Sequence, residues 1–329
     1  MTTRRRLVLA TVAAVLATPI ATRSQQRVVG LRRIGSLSPT TVAASRSTNE
    51  ALLQGLRDLG WIEGQNIVVE CWYADGKIDR LPALAAELVR ANVDVIVAGS
   101  TPAILAAKKA TNSTSIVMVT TGDPVADGLI SSLAHPGGNV TGVTVLSLDL
   151  TAKHLQLLKE VVPKVSRVAV LGGAAYSLKD FASGKAGRAA RELGITLITF
   201  EARIPSDLES AFTMMAKERA NGLLVLPSPM LDSERPRIAA LALQHRLPST
   251  YELGGYVEVG GLMFYGATLP YMYRYAASYV DKVLRGAKPA DLPVEQPTKF
   301  DLVINLKTAK TLGLTIPQSI LVRADRVIE

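Results

Sequence analysis

Residues 93–120 read VDVIVAGSTPAILAAKKATNSTSIVMVT: two apolar, β-branched runs on either side of a short helical stretch. The runs VDVIVAG (93–99) and TSIVMVT (114–120) have the composition of buried strands, and residues 101–110 between them have helical spacing. Strand, helix and strand in that order form a unit whose strands pair in parallel.

The same alternation continues outward. Toward the N-terminus, LRRIGSL (31–37) and IVVECWY (67–73) read as strands, with helices expected at 45–59 and 79–91. In the second helix Leu81, Leu84, Ala85 and Leu88 share one face, and Pro82 falls in the first turn, where a missing N–H does no harm. Toward the C-terminus the pattern pauses at HPGGNVTGVTV (135–145), a Gly-Gly-Asn turn followed by a β-branched run. A second set then begins with strands at RVAVLG (167–172), ITLITF (195–200), GLLVLP (222–227) and PSTY (248–251). Helices are expected over 178–193, 207–219 and 233–245. GGLMFYG (260–266), a long helix over 269–285, KFDLVIN (299–305) and a short helix over 307–312 complete the series.

Two such sets predict an α/β chain of two doubly wound parallel-sheet lobes, joined by more than one crossover segment. The expected division is 28–144 plus 266–297 for the N-terminal lobe and 145–265 plus 298–329 for the C-terminal lobe. Open parallel sheets bind ligands beyond the carboxyl ends of their strands, so facing lobes would form a hinged cleft lined by strand-to-helix loops.

Those loops supply the candidate site residues. The first contains Ser38 and the third contains Ser100 and Thr101, immediately before Pro102. Ser or Thr before Pro at a helix start fits a cap, and the free amides there also attract a carboxylate. Asp123, between Gly122 and Pro124, either closes a turn or receives a ligand ammonium. The C-terminal set offers Tyr176, Ser228 and Glu252 in its loops, and Tyr265 at the end of the crossing strand. Tyr271, Tyr275 and Tyr279 recur every four residues and read as a packed face.

Other chemistries lack a foothold. No phosphate loop, G-x-G-x-x-G, G-x-S-x-G or H-E-x-x-H motif occurs, and the histidines at 135, 154 and 245 stand in unrelated contexts. Cys71 is the only cysteine, which excludes an internal disulfide and zinc-site spacing; it reads as a packed, inert thiol. Net charge is +9, but the first 24 residues hold four arginines and no acid, leaving +5 for the remainder. The other basic residues are interspersed with acids, so a solvated surface is expected and no nucleic-acid partner. Arg4-Arg5-Arg6, the apolar run 7–21 and polar TRSQQR (22–27) make residues 1–26 an expected signal peptide, loosely of twin-arginine type. No cysteine lies near its end, so a lipid anchor is not expected.

Four longer stretches carry a family resemblance. GLRDLGWIEGQNIVVE (55–70), DRLPALAAELVRANVDVIVAGSTPAILAAKKAT (79–111), GDPVADGLISSLAHPGGNVTGV (122–143) and AASYVDKVLRGAKPADLPVEQPTKFDLVINLKTAKTLGLTIP (276–317) resemble the TrpX-like, tryptophan/tyrosine-type ABC transporter substrate-binding proteins. The resemblance implies a type I periplasmic-binding-protein fold, a periplasmic solute trap, an inner-membrane ABC permease as partner, no cofactor and no catalysis; a monomer is expected because a hinged trap needs both lobes free. It implies a small amino-acid-like or aromatic carboxylate ligand, with Ser100 and Thr101 on its carboxylate, Asp123 facing an amine or hydroxyl, and Ser38 and Tyr265 beside them. Two departures fall in the C-terminal lobe. Gly172-Gly173-Ala174-Ala175-Tyr176 stands where the family has Trp-Asn-Pro, and Gly254-Gly255-Tyr256 where it often has Arg-Glu-Phe. Both imply altered selectivity. A ligand sensor shares these features, a LacI-like regulator would need a helix-turn-helix, and a secreted α/β enzyme would need a site that the sequence does not reveal.

Overall fold

The structure is a computed structural model describing residues 30–120, 122–173 and 177–329. The expected signal peptide at 1–26 lies outside the described residues, as does Tyr176. The first lobe opens with β1 (Arg32–Ser38), α1 (Val42–Asp58) and β2 (Ile67–Tyr73). It continues through α2 (Leu81–Arg90), β3 (Val95–Gly99), α3 (Thr101–Ala110), β4 (Ser115–Thr120) and β5 (Val140–Thr144). Its five strands pair in parallel in the order β2-β1-β3-β4-β5. Every residue of β3 is buried, as a strand covered on both faces requires.

The second lobe runs through α4 (Ser147–Val161), β6 (Arg167–Gly172), α5 (Leu178–Ser183), α6 (Lys185–Glu192) and β7 (Thr196–Glu201). There follow α7 (Asp207–Lys217), β8 (Gly222–Val225), α8 (Pro229–Ser233), α9 (Arg235–Gln244) and β9 (Ser249–Tyr251). A short α10 (Gly255–Glu258) leads to β10 (Met263–Gly266). The chain then re-enters the first lobe as α11 (Leu269–Leu284) and comes back as β11 (Asp301–Asn305), α12 (Leu306–Thr311), α13 (Gln318–Leu321) and β12 (Arg326–Ile328). The second sheet is ordered β12-β11-β10-β9-β8-β6-β7, and only the β10–β11 pairing is antiparallel.

α11 joins the first lobe through packing. Met272, Ala276 and Val280 lie in one core with Ile34, Leu52 and Leu56. Gly55 makes the close approach possible, because a Cβ there would fall 2.7 Å from the Arg274 carbonyl. Trp61 Nε1 donates to Asp281 at 2.8 Å across the same contact. The returning segment hydrogen-bonds along β5, with Glu295 N donating to Gly142 O and Thr144 N to Glu295 O at 3.1 and 3.0 Å. Residues 31–329 thus form one compact unit, whose chain passes between the sheets after β5, after β10 and before β11.

Several elements differ from the sequence expectation. The helix expected over 178–193 breaks at Gly184 (ψ −144°), where the Gly184 amide closes α5 on the Asp180 carbonyl. The helix expected over 233–245 is present as α9, and an additional short α8 precedes it, each with a proline in its first turn. α4 has no counterpart among the expected elements. Its buried face carries Thr151 and His154, both fully enclosed, beside Leu155 and Leu158, and those polar residues interrupt the apolar stripe.

Candidate functional site

Between the two sheets lies a cavity of about 620 Å³, lined by loops of both lobes and by α11. On the first-lobe side, Ser38, Thr40 and Ser45 form a ring of hydroxyls with separations of 3.2, 2.8 and 2.9 Å. Thr41 is the cap of α1, accepting from Ala44 N at 3.3 Å, which leaves that ring to the cavity wall.

Ser100 does not cap α3. It sits at φ +78° and ψ 150°, with no bond from its side chain to the first turn. A non-glycine residue there costs about 1–3 kcal/mol, and such strain concentrates at functional sites. Its amide donates to Val119 O at 2.9 Å, pinning the turn to β4. Among the described residues, its Oγ is buried without a hydrogen-bond partner. Thr101 Oγ1 donates to Asp127 Oδ2 at 2.9 Å and lies 3.3 Å from Thr120 Oγ1. Burial pushes the Asp127 carboxyl up; Thr101 opposes this and the Asp123 charge adds to it. Asp123 closes the turn itself, its Oδ1 accepting from Val125 N at 3.0 Å and Ala126 N at 3.1 Å while the residue lines the cavity.

The second-lobe wall comes from the start of α5, the α5–α6 junction and the start of α8. Ser177, Asp180, Phe181, Lys185, Ser228 and Asp232 line it. Ser228 packs against Gly173, where a Cβ would fall 2.4 Å from Ser228 Oγ. At Gly172 a Cβ would fall 2.5 Å from Leu178 Cδ2, so the Gly-Gly departure lets α5 and α8 close on β6. Asp232 is buried, with Oδ1 3.0 Å from Arg235 Nη1. Burial raises its carboxyl and Arg235 works against that rise.

The structure brings Ser38, Ser100, Thr101, Asp123 and Ser228 to this one cavity. It does not bring Glu252 or Tyr265 there. Glu252 is buried at the end of β9, outside the lining of the cavity. Tyr265 turns into the second-lobe core, edge-on to His154 at 5.9 Å and stacked on Phe300 at 6.0 Å. Strand alternation decides this, since a side chain in β10 points to one sheet face and not along the strand into the cleft. Of the second departure, Gly254 and Gly255 line an adjoining cavity, while Tyr256 stacks on Tyr251 at 4.3 Å in the core.

Tyr271, Tyr275 and Tyr279 do form a packed face, with ring centroids 6.4 and 6.3 Å apart along the helix. Tyr275 Oη donates to Glu295, and Tyr279 Oη donates to Pro293 O at 2.6 Å. Tyr273, on another face of α11, reaches the cavity, its hydroxyl 2.0 Å from where a Gly99 Cβ would lie. Sequence reasoning missed Tyr273, Asp127, Asp180, Lys185 and Asp232. Tyr273 carried a usable signal, since it stands off the four-residue tyrosine repeat. Cys71 is half-buried in β2, where burial pushes its thiol up.

The profile of the ABC transporter substrate binding protein family matches residues 40–328. The chain belongs to the ABC transporter substrate-binding protein family. The "Tyrosine-binding protein" of Clostridioides difficile (strain R20291) is 28% identical to this substrate-binding protein over 274 residues, 80% of this chain and 76% of the relative. A conserved domain protein from Vibrio cholerae is 30% identical, with a TM-score of 0.83 over 90% of this chain and 99% of its own. An ABC domain from Streptococcus pneumonia, solved in complex with L-Trp, is 26% identical with the same TM-score over 91% of this chain and 100% of its own. Among the described residues no helix of the substrate-binding protein is long and apolar enough to cross a membrane.

Proposed function

We propose that this substrate-binding protein is a periplasmic trap that captures a small amino-acid-like solute between its lobes and hands it, unchanged, to an inner-membrane ABC permease. The observation that carries this reading is the 620 Å³ cavity, walled by strand-to-helix loops of both sheets. Its size suits a small solute, and its walls combine apolar surface with a few convergent polar groups. The relatives named for tyrosine and solved with L-Trp support an amino-acid-like ligand class.

In this reading residues 1–26 direct export, and the lobes comprise 28–144 plus 266–297 and 145–265 plus 298–329. The protein acts as a monomer, because closure needs both lobes free to move. The free amides of the first turn of α3 and the unpartnered Ser100 Oγ take the solute carboxylate. Ser38 and Ser228 border the solute from the two lobes, and Asp123 and Asp127 stand beside the carboxylate site. Binding stabilises the closed arrangement by its differential affinity for that state.

A thermal-shift screen against amino acids and small carboxylates tests this. A ligand bound at one hundred times its Kd adds about 2.7 kcal/mol to apparent stability. A concentration-dependent rise with one chemical group, and recovery of that ligand intact, is expected. Conversion of the ligand into another compound would overturn the transport reading.

A further inference from the structure

Among the described residues five charged side chains line the cavity, and four are carboxylates: Asp123, Asp127, Asp180 and Asp232 against Lys185. Their local roles differ. Asp123 is occupied through Oδ1 with the amides of its own turn, and Asp127 takes the Thr101 hydroxyl through Oδ2. Asp180 is exposed, and Lys185 is already engaged within the protein.

Asp232 stands apart. Its side chain retains only 10% of its exposure, yet it lines the cavity. Arg235 engages one oxygen, Oδ1; among the described residues Oδ2 accepts no hydrogen bond. Arg235 lines the adjoining cavity and not the main one, whereas Asp232 borders both. A solute in the main cavity therefore meets the carboxylate and not the guanidinium. A carboxylate this buried, with an unused oxygen, is stabilised by any cation that arrives there. An anion entering the same space meets four carboxylates and one lysine across walls of reduced dielectric.

Resting on the trap reading above, we propose that the cleft selects a solute of net positive charge, an amine or a basic amino acid, with Asp232 as the residue that receives its ammonium. The α3 amides and Ser100 accommodate a carboxylate where the solute has one. Its remaining ammonium then lies against the second-lobe wall. Neutral aromatic amino acids, the ligand class of the relatives' names, become weaker ligands here. Pure carboxylates are excluded.

Isothermal titration of the purified protein with two matched series tests this: cadaverine, L-lysine, L-norleucine and hexanoate, and tyramine, L-tyrosine and 4-hydroxyphenylpropionate. Within whichever series binds, affinity is expected to rise with positive charge, by roughly tenfold or more from the neutral to the cationic member. Asp232→Asn, which keeps an oxygen for Arg235, should erase most of that factor and change the neutral member's affinity less. If that variant unfolds, Asp180→Asn, an exposed position, should reduce the factor in the same direction. A neutral or anionic member binding tightest, or an unchanged order in the variant, overturns the charge selectivity and leaves the trap intact. Failure of all seven compounds to bind overturns both.

Discussion

Acidification should loosen the second lobe through one side chain, His154. It is fully enclosed in α4, with Nδ1 2.7 Å from Thr250 Oγ1. Burial drives its pKa down from 6.5 to about 3, against a smaller opposing pull from the Tyr265 backbone. The folded state therefore holds the neutral ring, while the unfolded chain takes up a proton below pH 6.5. The stability tied to the neutral ring is complete above the unfolded pKa and is lost as pH falls from 6.5 toward 3. Linkage gives about 1.4 kcal/mol per pH unit inside that window, so lowering pH from 7.5 to 5 costs about 2 kcal/mol. For a unit near 300 residues that is a fall in Tm of about 3 °C. Urea unfolding at pH 7.5, 6 and 5 measures it, with His154→Gln as the reference that cancels every other titration. The variant should be less stable at pH 7.5 yet lose about 2 kcal/mol less than the parent on going to pH 5. Equal losses in the two proteins would refute the assignment to His154.

Other substitutions test the geometry. Gly142→Ala should cost more than about 3 kcal/mol or abolish folding, because φ is +136° and the new Cβ would fall 2.2 Å from Met118 O. Gly138→Ala nearby, with nothing within 4 Å, should change urea stability by less than about 0.5 kcal/mol. Gly99→Ala should displace the Tyr273 ring and reduce solute affinity. Adding Tyr273→Phe should recover both stability and binding, since the next atom lies 3.3 Å away. Asp123→Ala should lower urea stability by about 1 kcal/mol through loss of its two amide bonds, whatever it does to binding.

Most of the fold was legible because its strands are uninterrupted apolar runs. VIVAG in β3 and RVAVLG in β6 can hardly be anything else once helices flank them. α4 escaped notice for the converse reason: Thr151 and His154 occupy core positions where the period calls for apolar residues. β12, three residues at a sheet edge, is too short to carry a pattern. The first-lobe half of the candidate site could be read from its loops, since Ser38, Ser100, Thr101 and Asp123 sit at or within three residues of strand ends. The second-lobe half could not. Asp180, Lys185 and Asp232 sit on short helices and look like solvated charges, and only the fold turns them toward the cavity. Ser100 illustrates a subtler failure. Ser before Thr-Pro reads as a cap, but its backbone adopts a positive φ and its hydroxyl makes no bond to the helix amides.

Native mass spectrometry of the purified protein, mixed with the amine and amino-acid series and then denatured to release what it holds, tests the central claim most directly. The account predicts one solute molecule per chain, displaced in proportion to competitor and recovered with its mass unchanged. Recovery of a chemically altered product, or no retained solute from any of these classes, would contradict it.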